Sequence, residues 1–533
     1  LRNNDQSQVI KGAFFLSLAA LFAKILSAFY RIPFQNMAGD MGFYVYQQVY
    51  PFYGVITILA LYGFPVVLSR QVAEKKAHGK QEEANELVLY SFLGIFLFSL
   101  IVCVGFLFFA RHIAVLIGDE SLEPLMRVVG IGFLFLPLLS TLRGVGQGNE
   151  EMGPSAFSHV GEQFMRVFAI LIITYLLVDY HANPYEIGIG ALYGSLIGSV
   201  IGCVILTVMT KGKLATIRNW KLSVRSFFYH NLNLFKQSIF ICLNALVLLL
   251  FQLVDVFTIV RLLQSVGVVE EQAFLAKGIY DRGQPLLQLG TILTTTVALA
   301  LVPLLSKSIA LNKIRDAQMY RDVSMRMAVL IGGGATLGLI LLMEPINHML
   351  FTDGSGTFVL QVLAFSIFPC TVYLAGAAIL QGYGKIHIPF YAISIGVFVK
   401  LGGNILFVPF FETTLGAAIA NVLAFTVMMG IVLYAIKAQG EIIVVQKQSF
   451  MIVIITLLVM GMSVFIVKQF IIAPIFPQTR MGSSLLAILL STFGGLIVAL
   501  SLLVTNLLTK REWASMPKLL KVRRKMIGFI TRV

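Results

Sequence analysis

The sequence predicts an all-α polytopic membrane protein of about fourteen transmembrane helices, set out as two pseudo-symmetric six-helix lobes plus two extra helices. Three observations lead there. Of 533 residues, 58% are hydrophobic and only 12% charged, about half the charged fraction of a soluble domain, which excludes a soluble multidomain enzyme. Apolar runs near the roughly 20 residues that a spanning helix needs follow one another almost without pause. Two pairs of motifs then recur six spans apart.

In order, the spans fall near 10–34, 45–69, 87–110, 124–145, 156–178, 187–210, 237–262, 283–306, 325–345, 358–380, 388–410, 415–436, 449–470 and 483–508. The first run is too long for a cleavable signal peptide, and no small-residue cleavage site follows it. Loops on the side of the termini hold 29 Lys and Arg residues, whereas the opposite loops hold Arg111, Arg127, Lys277, Lys468 and Arg480. Short cytoplasmic loops carry the basic excess, so both termini are expected in the cytoplasm. The formal charge of +15 is therefore a topology signal rather than a footprint for nucleic acid. In the tail, Lys518, Lys521, Arg523, Arg524 and Lys525 alternate with Leu519, Leu520, Met526 and Ile527. That pattern predicts a surface helix drawn to anionic lipid. No loop exceeds about 30 residues, too few for an extramembrane domain. Cys103, Cys203, Cys242 and Cys370 lie inside apolar runs and read as small buried hydrophobes.

Span 2 contains Tyr46 and Pro51 and ends Pro65-Val66-Val67-Leu68-Ser69-Arg70, while span 8 contains Tyr280 and Pro285 and ends Pro303-Leu304-Leu305-Ser306-Lys307. The connection from span 4 to span 5 reads Gly146-Gln147-Gly148, Pro154 and Phe164-Met165-Arg166. That from span 10 to span 11 reads Gly382-Tyr383-Gly384, Pro389 and Phe398-Val399-Lys400. An even offset gives both halves one orientation, as in transporters built from parallel repeats that hold substrate between their halves. The expected organisation is an N-lobe over 1–225, a C-lobe over 226–440, spans 13 and 14 over 441–509, and a basic tail over 510–533. Prolines such as Pro33, Pro51, Pro65, Pro285 and Pro369 sit where helices must bend or end.

Ionisable residues deep in spans are costly and point to function. Six are cations (Lys24, Arg31, Arg166, Arg261, Arg282, Lys400) and two are acids (Glu162, Asp255), an excess that suits an anionic substrate group. Lys24 lies about 22 Å along the first helix, too deep to reach either surface easily. Arg31, seven residues on, is nearly two turns away on the same side; the alternative for it is a head-group anchor. Arg282 can pair with its neighbour Asp281 or face substrate. Asp255 and Arg261 share span 7, the repeat partner of span 1, where they can neutralise each other or their neighbours. Glu162 and Arg166 have the i,i+4 spacing of a helical salt bridge. Lys400 can pair with a carboxylate or with carbonyls. The planar fork of arginine matches a diphosphate. Tyr46, Tyr50 and Tyr53 share a helical face, either as packing or as flanks for a sugar. There is no HExxH motif, the seven histidines are scattered, and the Gly144/Gly146 and Gly382/Gly384 pairs lack a strand-to-helix setting. No metal site, cofactor or enzyme activity is expected.

The run Phe22-Ala23-Lys24-Ile25-Leu26-Ser27-Ala28-Phe29-Tyr30-Arg31-Ile32-Pro33, then Gly39-Asp40 and Tyr46-Gln47-Gln48-Val49-Tyr50-Pro51, resembles the start of the oligosaccharidyl-lipid flippases of the MATE-like fold. Within that superfamily it is similar to the lipid II flippase group of MurJ and stage V sporulation protein B in Gram-positive bacteria. Tyr280-Asp281-Arg282 leading to Val302-Pro303 resembles the group's eighth-helix motif. The resemblance implies two lobes in a V, a central cationic cavity, and a groove for a polyprenyl tail on helices 13 and 14. It also implies a carrier that moves an undecaprenyl-diphosphate-linked saccharide, foremost lipid II, from the cytoplasmic to the outer leaflet by alternating access. Lys24, Arg31 and Arg282 would hold the diphosphate, with Asp255, Arg261 and Arg166 as further contacts. Lys24 matches a basic cavity residue of helix 1 and Arg282 the helix 8 arginine, whereas Arg31 falls one place from the second helix 1 arginine. The helix 2 arginine has no counterpart between Pro51 and Thr57, which points to a difference in substrate or in its geometry. The implied partners are the lipid-linked oligosaccharide, membrane lipids and cell-wall synthesis proteins. Carriers of teichoic acid or capsular precursors are alternatives within this reading. A multidrug or cation antiporter would want cavity carboxylates, for which only Asp255 and Glu162 are available. A membrane polymerase would want a large outer loop, and the buried cations disfavour a scaffold without transport.

Overall fold

The computed structural model describes residues 18–19, 21–210, 223–438, 447–472, 479–505, 507–508, 512–513 and 523. Every regular element among them is helical. The order is α1 (21–29), α2 (Arg31–Ile58), a π turn (Leu59–Gly63), α3 (Phe64–Ala77), α4 (Gln81–Ile117), α5 (Glu123–Gly132), α6 (Leu136–Gly148), α7 (Met152–Asp179), α8 (Pro184–Met209), α9 (Val224–Ser265) and α10 (Glu270–Asp281). There follow α11 (Gly283–Ala310), α12 (Ile314–Phe351), α13 (Thr357–Ala364), α14 (Ile367–Gly382), α15 (His387–Phe411), α16 (Leu415–Ala438), α17 (Lys447–Ile466), a second π turn (Val467–Ile472) and α18 (Arg480–Val504). The described part of each of the fourteen expected spans is helical, the first from residue 21 on. Among the described residues twelve helical stretches are long and apolar enough to cross a membrane, and one of them, Leu21–Ala77, holds the second expected span and the first from residue 21 on. The chain is a multi-pass membrane protein.

The chain divides into two compact units, residues 1–281 and 282–533. In the first, Gly39 at φ +67° breaks the helical path between spans 1 and 2, a backbone state that glycine adopts without a Cβ penalty. Helix α4 ends on Gly118 at φ +95°. Helix α8 starts with a capping box, the Asn183 side chain accepting from the Glu186 backbone and Glu186 returning to the Asn183 N–H, with Pro184 in the first turn. Large apolar side chains such as Ile101, Phe108 and Phe109 of α4 stay exposed, as a lipid-facing surface requires. The repeat boundary expected at 225/226 and the division between compact units at 281/282 differ because α9 packs on α4 and α2, so span 7 closes with the first unit.

Helices α7 and α8 form the most extensive helix pair of this unit, and glycine makes it possible. Gly190, Gly194, Gly198 and Gly202 recur every fourth residue along α8. A Cβ on Gly194 would come within 2.7 Å of the Ile170 amide nitrogen, and one on Gly198 within 2.8 Å of the Glu162 carbonyl. Membrane helices gain no hydrophobic drive against lipid, so close backbone approach through small residues is what binds them.

In the second unit, α11 packs on α14 and α15 on α16, as α3 packs on α6 and α7 on α8 in the first. The packing thus repeats at the six-span offset of the motifs. Helices α17 and α18 lie on α12 and on each other. The end of the chain folds back onto α12. Arg326 donates to the Leu507 carbonyl at 2.7 Å and to the Glu512 carboxylate, and Trp513, fully buried, joins Leu301, Val323, Met327 and Leu508. Arg523 stacks over the Trp513 ring at 5.0 Å. Glu512, Trp513 and Arg523 of the basic tail thus meet the helices; of the expected surface helix, Lys518, Lys521, Arg524 and Lys525 lie outside the described residues.

Candidate functional site

The first unit gathers two buried arginines among tyrosines. Helix α1 brings Ser27 and leads to Tyr30 and Arg31. The second half of α2 supplies Tyr46, Tyr50 and Tyr53, three or four residues apart on one side. Helix α7 supplies Arg166, with its Cβ held against Gly198 of α8.

Arg31, 1% exposed, lays its guanidinium 4.0 Å from the Tyr50 ring centre. Its Nε and Nη1 have no hydrogen-bond partner. Arg166, equally buried, lies 5.5 Å from the Tyr30 ring and 5.6 Å from that of Tyr53. Its Nη2 donates to the Ser27 hydroxyl at 3.1 Å, and its Nε is unpartnered. Cation–π contact offsets part of the cost of burying these charges. The tyrosines are themselves fixed: the hydroxyls of Tyr30 and Tyr46 meet at 2.7 Å, and that of Tyr53 donates to the Ser195 carbonyl at 2.9 Å and meets Ser199 Oγ at 2.9 Å. Among the described residues neither arginine has a carboxylate within ion-pair distance. Buried donors normally find acceptors, and these three guanidinium positions have none among the described residues.

Lys24 is half-buried on α1, and with Arg143 and Arg166 it acts electrostatically on the buried His159. Lys24 and Arg166 therefore share one cationic region, and Arg166 shares the Tyr50 neighbourhood with Arg31. Arg282 is not an open cation: fully buried in the second unit, it grips Asp353 with both ends of its fork, at 2.7 and 3.0 Å. That hydrogen bonding holds the Asp353 carboxyl at about 2, below its usual 3.8. Asp281, the neighbour expected as its alternative partner, takes Lys277 at 2.5 Å one helical turn away. Asp255 is buried and accepts from the Tyr280 hydroxyl at 3.1 Å, whereas Arg261 is exposed beside Gly118. They do not share an environment. Lys400, fully buried, donates to the Ala417 carbonyl at 2.9 Å, one of its two expected fates.

The expected Glu162–Arg166 bridge gives way to another. Glu162 pairs at 2.7 Å with Arg143, which also donates to Ser158 Oγ and the Ala60 carbonyl, both at 3.2 Å. Arg143 counted as a loop residue in the topology reading, yet it is fully buried within α6. The available signal was its place inside the fourth apolar run rather than after it. The basic asymmetry between the two sides survives its removal. All four cysteines are buried and free, and among the described residues no group of three or more His, Cys, Asp or Glu is placed to hold a metal ion.

Residues 9–309 match the family described as polysaccharide biosynthesis protein. The uncharacterized membrane protein YabM of Bacillus subtilis (strain 168) is 37% identical over 525 residues, 97% of this chain and 96% of that one. The lipid II flippase MurJ of the same organism is 23% identical, over 92% of this chain and 94% of its own. Its stage V sporulation protein B is 25% identical over 74% and 76%. Among solved structures, lipid II flippase MurJ in an inward closed conformation matches with a TM-score of 0.64 at 16% identity, covering 91% of this chain and 98% of that one. An inward-facing multidrug resistance MATE family transporter of the MOP superfamily matches at 0.63 and 14% identity, over 79% and 96%. By family match and by full-length similarity, this chain belongs to the polysaccharide biosynthesis protein family, within the superfamily of MurJ-like flippases.

Proposed function

We propose that this protein is a flippase that carries a polyprenyl-diphosphate-linked saccharide across the bacterial plasma membrane, with lipid II as the foremost substrate. Both termini face the cytoplasm in this reading, as the basic bias of the loops supports, and transport runs from the cytoplasmic to the outer leaflet. Arg31 and Arg166, assisted by Lys24, hold the diphosphate, and Tyr30, Tyr50 and Tyr53 flank it. The sugar travels in the wet interior while the prenyl chain stays in lipid, so no covalent step is needed. The observation that carries the reading is the pair of buried arginines with empty donor positions and no carboxylate partner. A diphosphate fills such positions with charge-assisted bonds. A cationic drug would be repelled by them, which disfavours antiport of that kind. Arg282, engaged by Asp353, is assigned a structural part and not a substrate contact.

Binding tests this directly. Purified protein is titrated in detergent with a polyprenyl diphosphate and, separately, with the matching polyprenol. The diphosphate should bind, the alcohol should bind much more weakly, and Arg31→Gln or Arg166→Gln should erase the difference. Equal binding of both lipids by the unaltered protein would remove the diphosphate site from the reading. A teichoic or capsular precursor that binds while lipid II does not would reassign the sugar alone.

A further inference from the structure

A guanidinium can receive an anionic substrate only if no carboxylate of the protein has already claimed it. On α7, Glu162 stands four residues before Arg166, the spacing at which these two side chains pair on a helix. Both are 1% exposed, so a direct pair between them would be held in a low-dielectric setting. It does not form because Arg143 takes the carboxylate. Arg143 is bound on three sides: to Glu162 Oε2 at 2.7 Å, to Ser158 Oγ at 3.2 Å and to the Ala60 carbonyl at 3.2 Å. Ala60 lies in the π turn Leu59–Gly63, a local departure from regular helical bonding of the sort that recurs at functional sites. Gly202 stands against the same oxygen, where a Cβ would come within 3.2 Å of Glu162 Oε2. The missing side chain leaves the carboxylate room beside α8.

We propose that Arg143 is a positioning residue for substrate binding: by sequestering Glu162 it keeps Arg166 free of a carboxylate and available to an anion. This rests on the diphosphate-binding reading above. Arg143 itself touches no substrate. Its contacts tie α6, α7 and the π turn into a frame behind the tyrosine and arginine cluster.

The test compares four purified proteins: unaltered, Arg143→Gln, Glu162→Gln and the double variant. Two readouts are taken on each, a structure by electron cryomicroscopy and the affinity for a polyprenyl diphosphate. In Arg143→Gln the Glu162 carboxylate should swing to within ion-pair distance of Arg166, and affinity should fall by at least about tenfold. The double variant, with no carboxylate left to trap Arg166, should recover to within about threefold of the Glu162→Gln protein. A merely structural Arg143 would leave the double variant as weak as the single one. That outcome, or an Arg143→Gln structure in which Glu162 stays away from Arg166, overturns the proposal. If the unaltered protein binds no diphosphate, the functional reading fails, and the Glu162–Arg166 separation in the Arg143→Gln structure still decides whether Arg143 keeps the two apart.

Discussion

Tyr53 shows how much of the cluster depends on single hydroxyls. Its phenol holds Ser195 and Ser199 of α8, so Tyr53→Phe leaves the Ser195 carbonyl without that donor and should cost about 1 kcal/mol. The ring that faces Arg166 is kept, so thermal stability in detergent should fall while diphosphate affinity stays near that of the unaltered protein. Asp353 is the opposite case, a carboxylate spent on structure. Its depressed pKa means that the pair with Arg282 contributes stability fully above pH 3.8 and loses it as pH falls toward about 2. Asp353→Asn should lower stability at neutral pH by about 1.5–3 kcal/mol, the range for a hydrogen bond to a charged group. The substituted protein should also show a flatter melting profile between pH 4 and pH 2 than the unaltered one. Melting temperatures across that interval check both statements. Arg31 and Arg166 were legible as buried cations because charge inside an apolar run is rare. The fates of Arg282 and Glu162 were not, since Asp353 lies 71 residues from Arg282 and Arg143 lies 19 residues from Glu162. Local spacing favoured Arg166 as the partner of Glu162 and offered Asp281 to Arg282, whereas packing brought Arg143 and Asp353 to them.

Among the helices, α8 carries the strictest demand on sequence. Gly198 touches the Arg166 Cβ and the Glu162 backbone, so Gly198→Leu must push α7 outward. Loss of diphosphate binding together with a lower melting temperature is the expected result. The four-residue glycine period was present in the sequence, but a glycine pattern alone does not say which neighbour it admits. The chain end makes a different case. Alternating basic and apolar residues predicted a surface helix, a pattern that lipid and a protein groove satisfy equally well. Trp513 is fully buried against α12, so Trp513→Ala should destabilise that end by about 3–5 kcal/mol. Hydrogen exchange in the first turns of α12 should quicken, with little change elsewhere. Unchanged exchange there would show that the tail does not clamp the helix.

For the molecule as a whole, composition and periodicity suffice for the helical membrane architecture, because in lipid every backbone group must be satisfied within its own helix. The paired motifs revealed the internal repeat, and the repeated packing of α3 on α6 and of α11 on α14 follows it. What the sequence left open was which cations pair with protein carboxylates, and side-chain geometry pairs Arg143 with Glu162 and Arg282 with Asp353. That division is the core of the proposed transport: Arg31 and Arg166 are kept, and Arg143 and Arg282 are spent. The most direct measurement is transport of fluorescent lipid II in reconstituted vesicles, followed by accessibility of the label to an external quencher. The unaltered protein should bring label across, and Arg31→Gln and Arg166→Gln should each slow it at least about tenfold with folding intact. Undiminished transport by both variants would contradict the assignment of these arginines to the substrate.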